Sequence, residues 1–239
     1  MTRKTPDTAM VFAAGLGTRM RPLTERTPKP LVRVAGRALI DRALDDFAAA
    51  GVSRAIVNVH HLADQVEAHL VGRVAPQIVI SDERKLLLDQ GGGIRKVLPL
   101  IGEEPFFVCN TDAFWIDAAG SNVDRLARAW DPEKMDAALL LAPTEGSVGV
   151  DWAGDFAIAE DGRLLRPDGP RPYVYSGVGL LKPQLFAEET AEVFRLAPLF
   201  FAAAARGRLY GVVAHGLWLH VGTIEAIAAA EQAIAARAD

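Results

Sequence analysis

Residues 13–31 hold the densest chemistry in the 239-residue chain. They read Ala13-Ala14-Gly15-Leu16-Gly17-Thr18-Arg19-Met20-Arg21-Pro22-Leu23-Thr24, followed by Thr27-Pro28-Lys29-Pro30-Leu31. Gly15 and Gly17 let backbone N–H groups face a phosphate with no Cβ in the way, and Thr18 adds a hydroxyl donor. Between Arg19 and Arg37 stand six basic residues (Arg19, Arg21, Arg26, Lys29, Arg33, Arg37) against one acid, Glu25. The chain as a whole is acidic, with a formal charge of −4. A cationic cluster beside a glycine loop suits a polyphosphate. Solvated surface arginines are the competing reading, but Pro28 and Pro30 stiffen the chain on both sides of Lys29 and hold it in one place. Two familiar phosphate loops do not fit. A Walker loop needs a Gly-Lys pair that is missing, and a dinucleotide fingerprint needs glycine where Met20 stands.

The loop must be presented by a strand. Ala9–Ala14 is a short apolar run that feeds it, and an open α/β sheet places ligands at such strand ends. Arg54–Val59, Gln77–Ser81, Phe106–Cys109 and Ala137–Leu141 are further buried-strand candidates. Between them, Ala38–Ala50 has Leu39, Ile40, Ala43, Leu44 and Phe47 at helical spacing, with Gly51 as its stop. Ala63–Leu70 and Val123–Ala129 are also read as helices. Strands alternating with helices predict an α/β fold: a Rossmann-like, mixed but mostly parallel sheet with helices on both faces. From about residue 143 the chain turns rich in Gly, Asp and Pro, with strand candidates at Phe156–Ala159 and Val174–Leu181. This part is expected to form a small β-rich lid over the sheet. Thr223–Ala236 is read as a closing helix capped by Thr223. The expected organisation is one domain over 1–239, with a core to about 142, a lid part at about 143–220 and the C-terminal helix at 221–239.

Composition removes several classes. Half of the residues are hydrophobic and 23% are charged, enough apolar material for a core. The acidic balance speaks against a nucleic-acid partner. A single cysteine, Cys109, excludes an internal disulfide framework and a cysteine zinc site. No run approaches the ~18 apolar residues of a membrane span. Arg3 and Lys4 before Ala9–Ala14 mimic a signal peptide, but the run is short and flows into the glycine loop, so a cytoplasmic protein is expected.

Taken together, these motifs resemble the sugar-1-phosphate nucleotidyltransferases. Their signature is a Gly-x-Gly-x-Arg loop, Pro-Leu-Thr and Pro-Lys-Pro-Leu, here Gly15–Arg19, Pro22–Thr24 and Pro28–Leu31. The likeness continues through Asp89-Gln90-Gly91-Gly92-Gly93-Ile94, Asn110-Thr111-Asp112, Gly154-Asp155-Phe156, Tyr175-Ser176-Gly177 and Val221-Gly222-Thr223. Within that group the chain is most similar to the short bacterial N-acetylmuramate-1-phosphate uridylyltransferases of cell-wall sugar recycling. They share the compact length, a Leu-Ala-Pro-Leu stretch (Leu196–Leu199) and the absence of a β-helix repeat.

The resemblance implies transfer of a nucleotidyl group, with UTP expected, to a sugar 1-phosphate, with N-acetylmuramic acid 1-phosphate expected, and release of pyrophosphate. It assigns catalysis to Arg19, Lys29 and Asp112. Nucleotide binding falls to Ala13, Ala14, Gly15, Gly17, Thr18, Arg19, Lys29 and Gly92, with free N–H groups of the triglycine reaching the base or sugar from the start of a short helix, Ile94–Leu98. Sugar contacts fall to Asn110, Gly154, Asp155, Ser176 and Gly177. Mg²⁺, or Mn²⁺, is the expected cofactor. Asp112, at the C-terminal end of its strand, is its expected ligand, and an ordinary turn cap is the bland alternative. His220 stands where the family has a second metal carboxylate. It is read as a metal ligand, a phosphate contact or a core histidine. His60, His61, His69 and His215 show no metal spacing. Asp89-Gln90 replaces the usual Glu-Thr, which leaves base and sugar open. Mannose-1-phosphate guanylyltransferase and glucose-1-phosphate thymidylyltransferase are alternative activities. A non-catalytic nucleotide-sugar binding module is an alternative of another class, and a nicotinamide-dependent oxidoreductase is disfavoured by Met20.

Overall fold

A computed structural model describes residues 5–116 and 119–237. Arg3 and Lys4 lie outside the described residues. The chain opens with β1 (Thr8–Phe12), runs through 3₁₀ turns between residues 18 and 31, then a hairpin, β2 (Arg33–Val34) and β3 (Arg37–Ala38). Next come α1 (Leu39–Ala49), β4 (Arg54–Val59), α2 (Ala63–Leu70), β5 (Gln77–Asp82), α3 (Asp89–Ile101) and β6 (Phe106–Asn110). The second half carries β7 (Ala113–Ile116), α4 (Asn122–Ala129), β8 (Ala137–Pro143), β9 (Ala157–Ile158), β10 (Leu164–Leu165) and β11 (Tyr173–Leu181). It closes with α5 (Ala197–Ala205), β12 (Leu209–Val213), β13 (Leu217–His220) and α6 (Ile224–Ala235).

Seven of the described strands form one sheet in the order β12-β8-β11-β6-β1-β4-β5. β6, β1, β4 and β5 run parallel, so their C-terminal ends share one edge. Successive residues feed opposite layers. Val11, Val57 and Leu140 pack under α1, α2 and α4 with Leu44, Phe47 and Leu126. Met10, Ile56 and Leu139 pack on the other side with Ile94, Val97 and Phe200 of α3 and α5. Cys109 is buried in the first of these layers.

Two expectations are corrected. The segment Val174–Leu181, expected in a lid, is a central strand: β11 lies antiparallel between β6 and β8. Its inner residues, Ser176–Leu181, are buried without a break, as a strand covered on both faces requires. Gly91, Gly92 and Gly93, expected before a short helix at Ile94–Leu98, are inside α3. A Cβ on Gly91 would lie 2.3 Å from Phe194 Cε2, and one on Gly92 would lie 2.2 Å from the Glu192 carbonyl oxygen. These glycines let the 190–194 segment press against the helix. Further along, Thr223 caps α6 as expected, accepting from the Ala226 N–H at 3.3 Å.

Candidate active site

β1 ends at Phe12, so Ala13 and Ala14 leave the sheet and open the glycine loop. The Ala13 N–H donates to Asn58 Oδ1 at 2.8 Å. Gly17 adopts φ +62, and a Cβ there would meet Thr24 Cγ2 at 2.8 Å. Its carbonyl accepts from Thr24 Oγ1 at 2.8 Å, which ties the loop to the Pro-Leu-Thr turn. Met20, the residue that breaks the dinucleotide fingerprint, is fully buried against Val32, Val34, Leu39, Phe114 and Leu219. It anchors the loop by packing where a glycine could not.

The loop forms one wall of a cavity of about 490 Å³ at the C-terminal edge of the sheet. Ala13, Ala14, Gly15, Gly17, Thr18, Arg19, Lys29, Asn110 and Asp112 all line it, joined by Asn58, Asp89, Gln90, Thr111 and Gly222. At its centre Lys29 Nζ donates to Asp112 Oδ2 at 2.9 Å, with the lysine side chain 14% exposed. Burial pushes the Asp112 pKa up, but the neighbouring His220 imidazole and the Lys29 ammonium outweigh it, leaving this carboxyl well below the usual range and ionised.

β13 pairs antiparallel with β7, His220 opposite Ala113, and so carries the histidine to Asp112. The Val221 N–H donates to the Asp112 carbonyl at 2.7 Å. His220 Nε2 lies 3.7 Å from Asp112 Oδ2. Gly222 leaves the room for this meeting: a Cβ there would lie 2.6 Å from His220 Cε1 and 3.2 Å from Arg19 Nη2.

Five expected contacts stand off the cavity wall. The Gly92 N–H is taken by the Phe194 carbonyl at 3.3 Å, and Gly92 borders a different cavity beyond Leu88. Gly154 sits at φ +79 against the Arg171 carbonyl, and Asp155 Oδ2 accepts from the Tyr175 N–H at 2.9 Å. The buried Ser176 gives its carbonyl to Trp218 Nε1 at 3.1 Å, and Gly177, at φ +94, lets Asn110 pack against it. Asp155, Ser176 and Gly177 lie at the register shift of β11 between Tyr175 and Gly179, where Gly177 packs on Asn110. Asn110 Oδ1 in turn accepts from Gln90 Nε2 at 2.7 Å.

Two residues were not anticipated. Asn58 accepts from Ala13 and donates through Nδ2 to Glu83 Oε1 at 2.9 Å. Glu83 Oε2 accepts from the Leu88 N–H at 3.2 Å, and Glu83 is only 2% exposed. This buried chain links the glycine loop to the start of α3, where Asp89 and Gln90 enter the cavity. Its trace in the sequence is one polar residue, Asn58, near the end of an otherwise apolar strand. The histidines set aside on spacing are engaged elsewhere: His60 with the Glu83 carbonyl, His61 with the Thr24 carbonyl and His69 with Asp41.

A family model for the MobA-like NTP transferase domain matches residues 9–237. The chain belongs to that family. Proteins that it resembles include an N-acetylmuramate alpha-1-phosphate uridylyltransferase of Caulobacter vibrioides, 52% identical over 96% of this chain and 98% of that protein. A protein of the same name from Neisseria meningitidis is 38% identical over 90% of this chain and 93% of its own length. The fold is shared with a UDP-glucose pyrophosphorylase solved with UDP-glucose, at TM-score 0.79 and 19% identity, over 96% of this chain and 98% of that one. It is also shared with an inositol-1-phosphate CTP transferase from T. maritima, at TM-score 0.76 and 18% identity, over 96% and 98% of the two chains. Among the described residues no helix is long and apolar enough to cross a membrane.

Proposed function

We propose that this nucleotidyltransferase moves the uridylyl group of UTP onto N-acetylmuramic acid 1-phosphate, giving UDP-N-acetylmuramic acid and pyrophosphate. The observation that carries the reading is the Lys29–Asp112 ion pair inside a cavity walled by the glycine loop. The Caulobacter and Neisseria relatives support the choice of base and sugar.

Both reactants are anions, so the barrier is chiefly one of position and charge. The sugar phosphate oxygen attacks the α-phosphorus in line, and the P–O bond to the β-phosphate breaks as pyrophosphate leaves. Arg19 and Lys29 neutralise the triphosphate, while the Gly15–Thr18 backbone presents N–H groups to it. Gln90 and Asn110, coupled by their hydrogen bond, orient the nucleoside or sugar from the facing wall. Gly154, Asp155, Ser176 and Gly177 hold the β11 segment that backs Asn110, and so shape the sugar side. Cys109 is buried in the core, and burial pushes its thiol pKa up, so it takes no part as a nucleophile.

The donor set fits a divalent cation. Asp112 is held ionised, and the ammonium of Lys29 already meets Oδ2 as a positive partner. Asp112 and His220 would hold such an ion, Mg²⁺ or Mn²⁺. When bound, it supplies charge neutralisation at the phosphate oxygens. The use of UTP in this reading supports a cytoplasmic location.

The test is pyrophosphate release from each of UTP, GTP, CTP, dTTP and ATP against a panel of sugar 1-phosphates. UTP with N-acetylmuramic acid 1-phosphate is expected to be the best pair. Another pair turning over faster by about tenfold, a difference of about 1.4 kcal/mol in the barrier, overturns the substrate assignment. Tight UDP-sugar binding with no turnover for any pair overturns the enzymatic reading.

A further inference from the structure

The segment that presses on α3 ends in an arginine at the cavity mouth. The Phe194 ring lies against Gly91, and its carbonyl accepts from the Gly91 and Gly92 N–H groups at 3.0 and 3.3 Å. Leu196 follows in the core, 1% exposed, just before α5 and at the start of the Leu-Ala-Pro-Leu stretch. Val193 and Arg195 alternate with these two and stay outside the core. Val193 is 48% exposed and lines the cavity, and the Arg195 side chain is 83% exposed. Arg195 Nε lies 3.8 Å from Asp89 Oδ2, beyond hydrogen-bond reach. Asp89 itself lines the cavity at φ +60, a conformation uncommon outside glycine. Its Oδ1 accepts from the Gln90 N–H at 2.7 Å, which leaves Oδ2 for the arginine. Among the described residues Arg195 has no other charged partner. The triglycine and the Leu196 anchor thus fix an apolar and a cationic side chain at one rim, with the guanidinium oriented by Asp89 and its fork of donors open.

The proposed sugar carries a charge that the phosphate-facing cations leave unmatched. Two cations line the cavity, Arg19 and Lys29, and the proposed transfer turns both toward phosphates. N-acetylmuramic acid differs from N-acetylglucosamine by a lactyl ether, which adds one methyl group and one carboxylate. A carboxylate that leaves water without a cation or hydrogen-bond donors weakens binding. A planar guanidinium matches a carboxylate bidentately, as an ammonium does not. Val193, two residues before Arg195, offers the apolar surface that a methyl group needs.

We propose that Arg195 is the specificity-determining residue for the lactyl carboxylate of the sugar, with Val193 against the lactyl methyl. The inference rests on the proposed substrate and names the residue that recognises it, but its test does not need turnover.

The experiment is calorimetric titration of the full chain with UDP-N-acetylmuramic acid and with UDP-N-acetylglucosamine, which differ only in the lactyl group. Wild type is expected to bind the first more tightly. Arg195→Gln is expected to lose about tenfold of that preference, the scale of a charge-assisted hydrogen bond. Arg195→Glu sets a like charge against the carboxylate and is expected to reverse the order of the two ligands. The side chain is exposed, so neither exchange opens the core. Two results overturn the inference: wild type binds both ligands alike, or the preference survives in Arg195→Gln, whether or not both affinities fall together. Pyrophosphate release from UTP by Arg195→Gln with the wild-type preference for N-acetylmuramic acid 1-phosphate over N-acetylglucosamine 1-phosphate sinks this inference and leaves the transferase reading standing. A binding preference that depends on Arg195, with no turnover for any pair, upholds it and removes the transferase reading instead.

Discussion

Glu83→Gln is the sharpest probe of how the glycine loop is held. The side chain keeps its shape but exchanges a charged carboxylate for a neutral amide, with an NH₂ in place of one acceptor oxygen. Glu83 receives two buried donors, Asn58 Nδ2 at 2.9 Å on one oxygen and the Leu88 N–H at 3.2 Å on the other. A glutamine has a single acceptor oxygen, so its NH₂ must face one of those donors. One hydrogen bond is lost and one buried donor is left unpaired, at a cost of about 1–3 kcal/mol. Rotating the Asn58 amide to relieve the clash sacrifices its bond to the Ala13 N–H instead. Either way the damage reaches the loop or the start of α3, both of which line the cavity. Urea unfolding should report the stability loss. Steady-state kinetics should show KM for UTP rising about 5–30-fold, the binding equivalent of about 1–2 kcal/mol. A variant that unfolds at the wild-type urea midpoint and keeps the wild-type KM refutes the claim that Glu83 organises the site.

Other outcomes follow from single residues. Burial beside Cys109, Phe114 and Trp115 pushes the Asp46 pKa up to about 6, with Asp45 adding to the shift and Arg37 and Arg42 opposing it. A folded pKa above the unfolded value of about 3.9 means the native state holds its proton more tightly, so stability falls as pH rises from about 4 through 6. Asp46→Asn should therefore stabilise by about 3 kcal/mol at pH 8 and by less than about 1 kcal/mol at pH 4. Equal stabilisation at both pH values in urea titrations would contradict the burial argument. Gly222→Ala places a methyl 2.6 Å from His220 Cε1 while the ring is stacked on Trp218. Pyrophosphate release should fall roughly ten- to hundredfold through misplacement of His220 and Arg19, and wild-type rates would show that the convergence at Gly222 is immaterial.

The sequence exposed those parts of the fold whose reasons are local. β4 and α2 run over the very residues their apolar patterns mark, and Gly51 ends the first long helix at φ +83. That the glycine loop, Lys29 and Asp112 meet in one cavity was legible because the loop and Asp112 each follow the C-terminal end of a parallel strand, and those strands, β1 and β6, are neighbours. What stayed hidden depends on pairing across the chain. β11 looks like any short apolar strand in sequence, and only its insertion between β6 and β8 makes it central. The triglycine reads as a base or sugar contact until the 190–194 segment is seen pressed against it. Asp155 reads as a ligand until its carboxylate is found holding the Tyr175 N–H. The Asn58–Glu83 chain spans 25 residues, and no local pattern announces it.

The most direct measurement is the initial rate of pyrophosphate release from UTP and N-acetylmuramic acid 1-phosphate by wild type and by Lys29→Met. The substitution keeps the stem of the side chain and removes the charge that meets Asp112 at 2.9 Å. If that ammonium neutralises the triphosphate, kcat/KM should fall roughly 10²–10³-fold, the usual loss when one placed donor to developing charge is removed, in a variant that near-UV circular dichroism shows to be folded. Wild-type turnover in Lys29→Met would contradict the account at its centre.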